Sequence, residues 1–138
     1  MNDRRNYCGF NLSNRDFSGQ DLRRASFKNA VLRGANFAQA SLEGADFSNA
    51  CLEGADFRKA DLSRATFRRA YIVGATFEQA NLAMTVFRGA CLIDAILNEA
   101  LLAGTDFTSA DLTHTLVDGY KLQRCCVSNT TLPNGTKT

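Results

Sequence analysis

The sequence predicts an all-β solenoid with four sides per coil, built as one domain of a single repeat type. Three observations carry that prediction. From Ala25 to Ala80, alanine falls on every fifth residue twelve times in succession. Two places after each alanine sits a large apolar residue, and this series of centres runs from Tyr7 to Leu132 with Leu, Phe, Ile, Val or Tyr at all twenty-six positions. From Leu12 to Leu92 the centres alternate strictly between Leu or Ile and Phe, so the true period is ten.

A period of five excludes the two ordinary elements. On an α-helix, residues five apart lie about 140° apart, and the series would smear around the cylinder instead of forming a stripe. In a flat strand, side chains alternate between faces, and because five is odd successive centres would point to opposite sides. A short extended piece that carries the small residue and the centre on its inner side, followed by a two-residue corner, satisfies the pattern. Alanine then permits close approach to the axis. The residue between alanine and centre points outward and is often Asp, Asn, Ser or Thr, types that hydrogen-bond nearby backbone at bends. Stacking such coils winds the chain around its own side chains.

The ten-residue alternation sets the number of sides. A three-sided coil of fifteen residues would stack Phe on Leu, whereas a four-sided coil of twenty keeps like on like. Phe17, Phe37, Phe57 and Phe77 then form one inner ladder, and Phe27, Phe47, Phe67, Phe87 and Phe107 form another. A coil spacing of about 4.8 Å suits offset-stacked rings. Gly34, Gly54 and Gly74, twenty apart, fit one recurring corner.

In chain order, residues 1–20 read as an N-terminal cap, because Phe10, Arg15 and Gln20 hold the small inner site before alanine takes over. Residues 21–114 form the regular body, with the pattern strained at Met84-Thr85-Val86-Phe87 and outward sites turning apolar after it, as at Ile96, Leu101 and Leu116. Residues 115–133 read as a tapering C-terminal cap, in which Thr115, Tyr120, Cys125 and Thr130 fill the small site. Pro133 removes a ladder donor and Asn134-Gly135 leads the chain away, so 134–138 reads as a disordered tail.

Units such as Ala55-Asp56-Phe57-Arg58-Lys59 resemble the pentapeptide-repeat family, over nearly the whole chain from about Asn6 to Leu132. That resemblance implies a right-handed quadrilateral β-helix of roughly six coils, and a bacterial, often cyanobacterial, setting. It also implies two functional classes. Some members inhibit DNA gyrase by resembling duplex DNA in size and negative surface; others are interaction modules. This chain departs from the first class, having a basic outward surface and no long C-terminal dimerisation helix.

Little in the sequence points to catalysis, and the chain reads as a non-enzyme with no cofactor or metal. His114 is the one histidine and falls at a corner; the glycines occupy corners at multiples of five and form no phosphate loop. Seven carboxylates, Asp16, Asp21, Asp46, Asp56, Asp61, Asp106 and Asp111, immediately precede a centre and read as structural. The five cysteines are odd in number and lack a paired spacing; Cys51 and Cys91 would lie two coils apart, too far for a disulfide. Free thiols, a leader-free Met1–Tyr7 and no apolar run of spanning length point to a cytoplasmic protein without a membrane partner.

The corner residues carry the remaining information. Arg and Lys number eleven there against six acids, so this surface is more basic than the net charge of +2 suggests. Arg58, Lys59, Arg64, Arg68 and Arg69 girdle one coil, with Arg88 one coil above Arg68, a candidate patch for an anionic partner. Nucleic acid is disfavoured because nearly all aromatics are assigned to inner sites, which removes the stacking platforms for single strands. The most apolar outward strip comprises Val31, Cys51, Tyr71, Val73, Cys91 and Ile93, which the period aligns over consecutive coils as a surface for a protein partner or a weak homodimer.

Overall fold

In the computed structural model, which describes residues 5–138, the backbone winds as a square coil of twenty residues per turn. The register is explicit: parallel bridges join outward residues twenty apart, as in the series Val31, Cys51, Tyr71, Cys91 and Asp111. Between adjacent coils the centre N–H donates to the next coil's outward carbonyl, as from Phe57 to Thr76 at 2.8 Å, and the outward N–H donates to the preceding coil, as from Asp56 to Ala35 at 2.9 Å. Successive turns of one chain thereby satisfy each other's backbone groups. The first four residues, and with them part of the expected N-terminal cap, lie outside the described residues.

Each corner is a tight turn in which the small-site N–H donates to the preceding centre carbonyl, as from Ala50 to Phe47 at 3.0 Å. From Gly9 to His114 every second-corner residue adopts positive φ, between 56 and 72°, while the first corner does not. That is type II turn geometry, which favours Gly or Asn at this place. The glycines are therefore not confined to the corner of Gly34, Gly54 and Gly74; Gly9, Gly19, Gly44, Gly89 and Gly104 serve other corners in the same role. The outward Asp and Asn side chains brace these turns, as expected. All seven of the singled-out aspartates accept a hydrogen bond from the N–H two residues on, for example Ser48 to Asp46 at 2.9 Å.

The core is a filled shaft. Rings of one column stack nearly parallel, as Phe37 on Phe57 at 5.0 Å and Phe57 on Phe77 at 4.9 Å, while rings of the two columns meet edge to face, as Phe47 against Phe57 at 5.5 Å. Both arrangements suit the aromatic quadrupole. Tyr7 starts the second column on Phe27, and Leu97, followed by the half-buried Val117, continues the first. Where threonine replaces alanine at the small site, its buried hydroxyl donates to a carbonyl one coil below: Thr85 to Leu62 at 2.8 Å, Thr105 to Leu82 at 2.8 Å, Thr115 to Leu92 at 2.9 Å and Thr130 to Phe107 at 2.7 Å.

Three expectations are corrected at the ends. Phe10, Arg15 and Gln20 are exposed, Phe10 at 56%, because no coil precedes them to enclose the small site; the backbone ladder is already regular there, with Tyr7 bonded to Ser26 at 2.7 Å. Tyr120 does not enter the small site either. A phenol cannot fit where alanine meets the axis, so the chain leaves the square path as a one-turn helix, α1 (Gly119–Leu122), and Tyr120 is 67% exposed. Finally, the segment after Pro133 does not lead away. Asn134 accepts the Thr136 N–H at 3.0 Å, Gly135 takes φ 85°, and the chain reverses. Leu132 then bonds to Thr136 at 2.7 Å, Thr138 to Thr130 at 2.9 Å, and Thr131 bridges Lys137 antiparallel. The returning strand covers part of the last edge, which would otherwise be open to pairing.

Candidate interaction surface

The apolar strip is assembled by the twenty-residue register. Val31, Cys51, Tyr71 and Cys91 are consecutive rungs of one wall, and Val73 and Ile93 stand at its following corner, where Gly54 bonds to the Val73 carbonyl and Gly74 to that of Ile93, each at 3.0 Å. Tyr71 protrudes, 47% exposed, while the other five are half-buried by their neighbours above and below. Asp111 ends the strip on one side. Arg33 borders it, its Nε 3.2 Å from the Cys51 sulfur and 3.8 Å from the Glu53 carboxylate.

The six basic residues separate onto three corners. Arg58 and Lys59 share a corner stack with Glu78 and Glu99, and Arg64 occupies the next corner. Arg68, Arg69 and Arg88 come together and line a groove of about 530 Å3 with Ser48, Asn49 and Thr108. This groove follows the edge of the Tyr71 wall, so the apolar strip and the densest basic patch are neighbours. Their charges are not equally available. Arg58 clamps Asp56 at 2.6 Å; burial pushes that carboxyl up, but the Arg58 side-chain and backbone hydrogen bonds outweigh burial and hold it low. Arg88 is tied to Asp106 at 2.6 Å, whose acidity burial opposes and the Thr108 and Arg88 hydrogen bonds restore. Among the described residues Lys59, Arg64, Arg68 and Arg69 have no ion pair. A signal for this was available: Arg at a first corner with Asp two residues earlier pairs within its own unit, as Arg23 also does with Asp21, holding that carboxyl at about 2. Arg68 follows Thr66 and has no such partner.

A second apolar region lies beside α1. Leu101 and Tyr120, with Ala100, Leu102, Ala103, Lys121 and Arg124, line a cavity of about 320 Å3 beside α1. Leu101 is 60% exposed, and Met84 and Leu116 are likewise exposed. Leu101 and Leu116 were legible as outward apolar sites; the oversized residue at position 120 was the signal for the cavity.

The surface offers little acid–base or metal chemistry. Among the described residues no group of three or more His, Cys, Asp or Glu could hold a metal ion. His114 sits exposed at its corner, 3.5 Å from Asp94. All five cysteines are free; Cys126 faces out, whereas Cys125 is half-buried with its thiol directed at the Leu102 and Lys121 carbonyls, each at 3.4 Å, and burial pushes it up to about 11. No helix is long and apolar enough to cross a membrane.

Square coils, type II corners and a shaft of stacked Phe and Leu define a quadrilateral β-solenoid that presents side chains on four flat walls. The pentapeptide-repeat profile matches residues 11–49, 21–58, 50–89, 60–98 and 85–119, and the chain belongs to that family, whose fold is the right-handed quadrilateral β-helix. Among solved structures it is similar to a pentapeptide repeat protein, Rfr23, from the cyanobacterium Cyanothece 51142, at 28% identity and TM-score 0.53, covering 78% of this chain and 60% of that one. It is also similar in fold to QnrB1, a plasmid-mediated fluoroquinolone resistance protein, at 23% identity and TM-score 0.59, covering 94% of this chain and 75% of that one. Among curated proteins none matches.

Proposed function

We propose that this protein is a non-catalytic interaction module that binds a protein partner through the Tyr71 wall, with Arg68, Arg69 and Arg88 along its edge receiving acidic groups of that partner. The observation that carries the reading is the register: it places Val31, Cys51, Tyr71 and Cys91 on one face, next to the one corner stack whose charged corner residues are all basic, Lys28, Arg68, Arg69 and Arg88. Contiguous apolar surface on a rigid framework supports a contact, and the adjacent positive ridge supplies orientation and steering. A standard interface needs about 800 Å2 per partner, so rim residues such as Arg33, Glu53 and Thr113 join the contact. Five free thiols support a reducing, cytoplasmic location for this role.

Gyrase modulation is the weaker reading. The likeness to QnrB1 is one of fold, and the ridge beside the Tyr71 wall is positive where a duplex mimic needs a negative field. The test is the double substitution Tyr71→Asp, Ile93→Asp, first checked for retained fold. Light scattering and affinity capture against the parent should show loss of a self-associated species or of a specific partner. Unchanged mass and unchanged partners would refute the proposal.

A further inference from the structure

One wall of the solenoid is interrupted. From Tyr7 to Leu97 every centre N–H donates to the coil above, and so do those of Phe107 and Leu112; Leu102 alone in this run does not. Its acceptor in the repeating register would be the carbonyl of residue 121, which α1 carries away. The second-corner N–H groups of Glu99 and Gly104, which flank the same wall, lack their upward acceptors for the same reason. Lys121 compensates for one loss only: its Nζ, in place of its backbone N–H, donates to the Ala100 carbonyl at 2.9 Å. Three backbone donors along this wall are thus without a protein acceptor among the described residues; that of Leu102, a buried residue lining the cavity, is the one that requires an acceptor, while Glu99 and Gly104 stand exposed at the two flanking corners.

We propose that this gap receives an extended segment of a partner protein, acidic and apolar in alternation, as an added strand. The donors at Leu102 and Gly104 are two residues apart and call for two carbonyls at the same spacing, which an extended backbone presents on one edge. Leu101 and the Tyr120 ring offer an apolar bed for the side chains of one face. Lys121 and Arg124 line the cavity and no carboxylate does, the nearest acids, Glu99 and Asp118, standing at the flanking corner, so the complementary charge on the segment is negative. The volume, about 320 Å3, lies at the small end of ligand pockets, roughly 300–1,000 Å3, and fits a few residues and not a folded domain. This site is separate from the Tyr71 wall and stands or falls independently of it.

The experiment uses the full chain, isotopically labelled, titrated with the capped pentapeptide Asp-Leu-Asp-Val-Asp and, in parallel, with Lys-Leu-Lys-Val-Lys. The expected result is that the amide resonances of Glu99, Leu102 and Gly104 shift with the acidic peptide and become at least about tenfold slower to exchange with solvent. Leu101→Asp, at an exposed position that leaves the coil intact, should weaken acidic-peptide binding at least about tenfold, whereas Phe10→Asp, at an exposed position at the other end of the solenoid, should not change it. Should Leu101→Asp disturb the fold, Leu101→Ser serves in its place. Three outcomes would overturn the proposal: those amides stay fixed at millimolar peptide, the basic peptide moves them equally, or they are already protected in the free protein because the chain closes its own wall.

Discussion

Phe57 sits at the middle of its column and is the sharpest test of how the shaft is held together. Replacing it with alanine removes two stacked contacts, to Phe37 at 5.0 Å and Phe77 at 4.9 Å, and two edge contacts, to Phe47 at 5.5 Å and Phe67 at 5.6 Å. The ring is wholly buried. In the coils flanking Phe57 the spacing is fixed on all four walls by inter-coil hydrogen bonds, so the neighbours cannot collapse onto the gap, and the loss falls at the full end of the range for such truncations, about 3–5 kcal/mol. At roughly 3–5 °C per kcal/mol for a chain of this size, the melting temperature should fall by about 10–20 °C. Phe57→Leu should cost far less, about 1–2 kcal/mol, because Leu97 already shows that the column accepts leucine. Thermal melting followed by circular dichroism measures both. A Phe57→Ala protein that melts within a degree or two of the parent would mean that the columns are not the source of stability.

Three further outcomes follow from the same geometry. Gly54→Val should destabilise by about 1–2 kcal/mol in the same melting assay although nothing lies within 4 Å of the added Cβ, because the cost is that of a branched residue at φ +67°. For Cys125 the folded thiol titrates near 11 and the unfolded one near 9, so both are protonated below about 9; between 9 and 11 only the unfolded chain gains from ionising, and stability falls with rising pH. Cys125→Ala should flatten that alkaline slope of the melting temperature, and an identical slope in both proteins would contradict the burial of this thiol. In a supercoiling assay the protein should leave gyrase uninhibited at micromolar concentration, and potent inhibition would displace the interaction-module reading.

The shaft was legible because three of the five positions in each unit answer to local constraints. The centre must be large and apolar, the small site must clear the axis, and the second corner must tolerate positive φ. Each leaves its mark on composition, down to the Phe alternation that counted the sides. The constraint at the second corner was read too narrowly, since residues such as Lys59, Arg64 and Arg69 adopt φ 56–60° without being glycine. What stayed hidden depended on events between units. Tyr120 followed the five-residue count, yet its size moved the chain off the square path and opened a wall whose donors belong to Glu99, Leu102 and Gly104, about twenty residues earlier. The tail was misread for a related reason: Asn134-Gly135 is as good at reversing a chain as at releasing it, and which one happens is decided by the free edge at Thr130 to Leu132.

This division bears on where specificity can reside. Coils that obey the pattern are interchangeable in their core, so nothing in the shaft can distinguish one partner from another. The outward site and the first corner remain, and even these are partly consumed, since each outward Asp is held by its own turn and Arg23 and Arg58 are held by such aspartates. In the proposed interaction role, selectivity would come from the places where an outward residue is neither bracing a turn nor pairing with a neighbour. Tyr71 and the unpaired Arg68 and Arg69 meet that condition on adjoining surfaces, and Leu101 meets it beside a wall that has lost its own hydrogen-bond acceptors. Both are departures from the repeat, and a rigid rod is what holds such departures at fixed spacing for a partner to read.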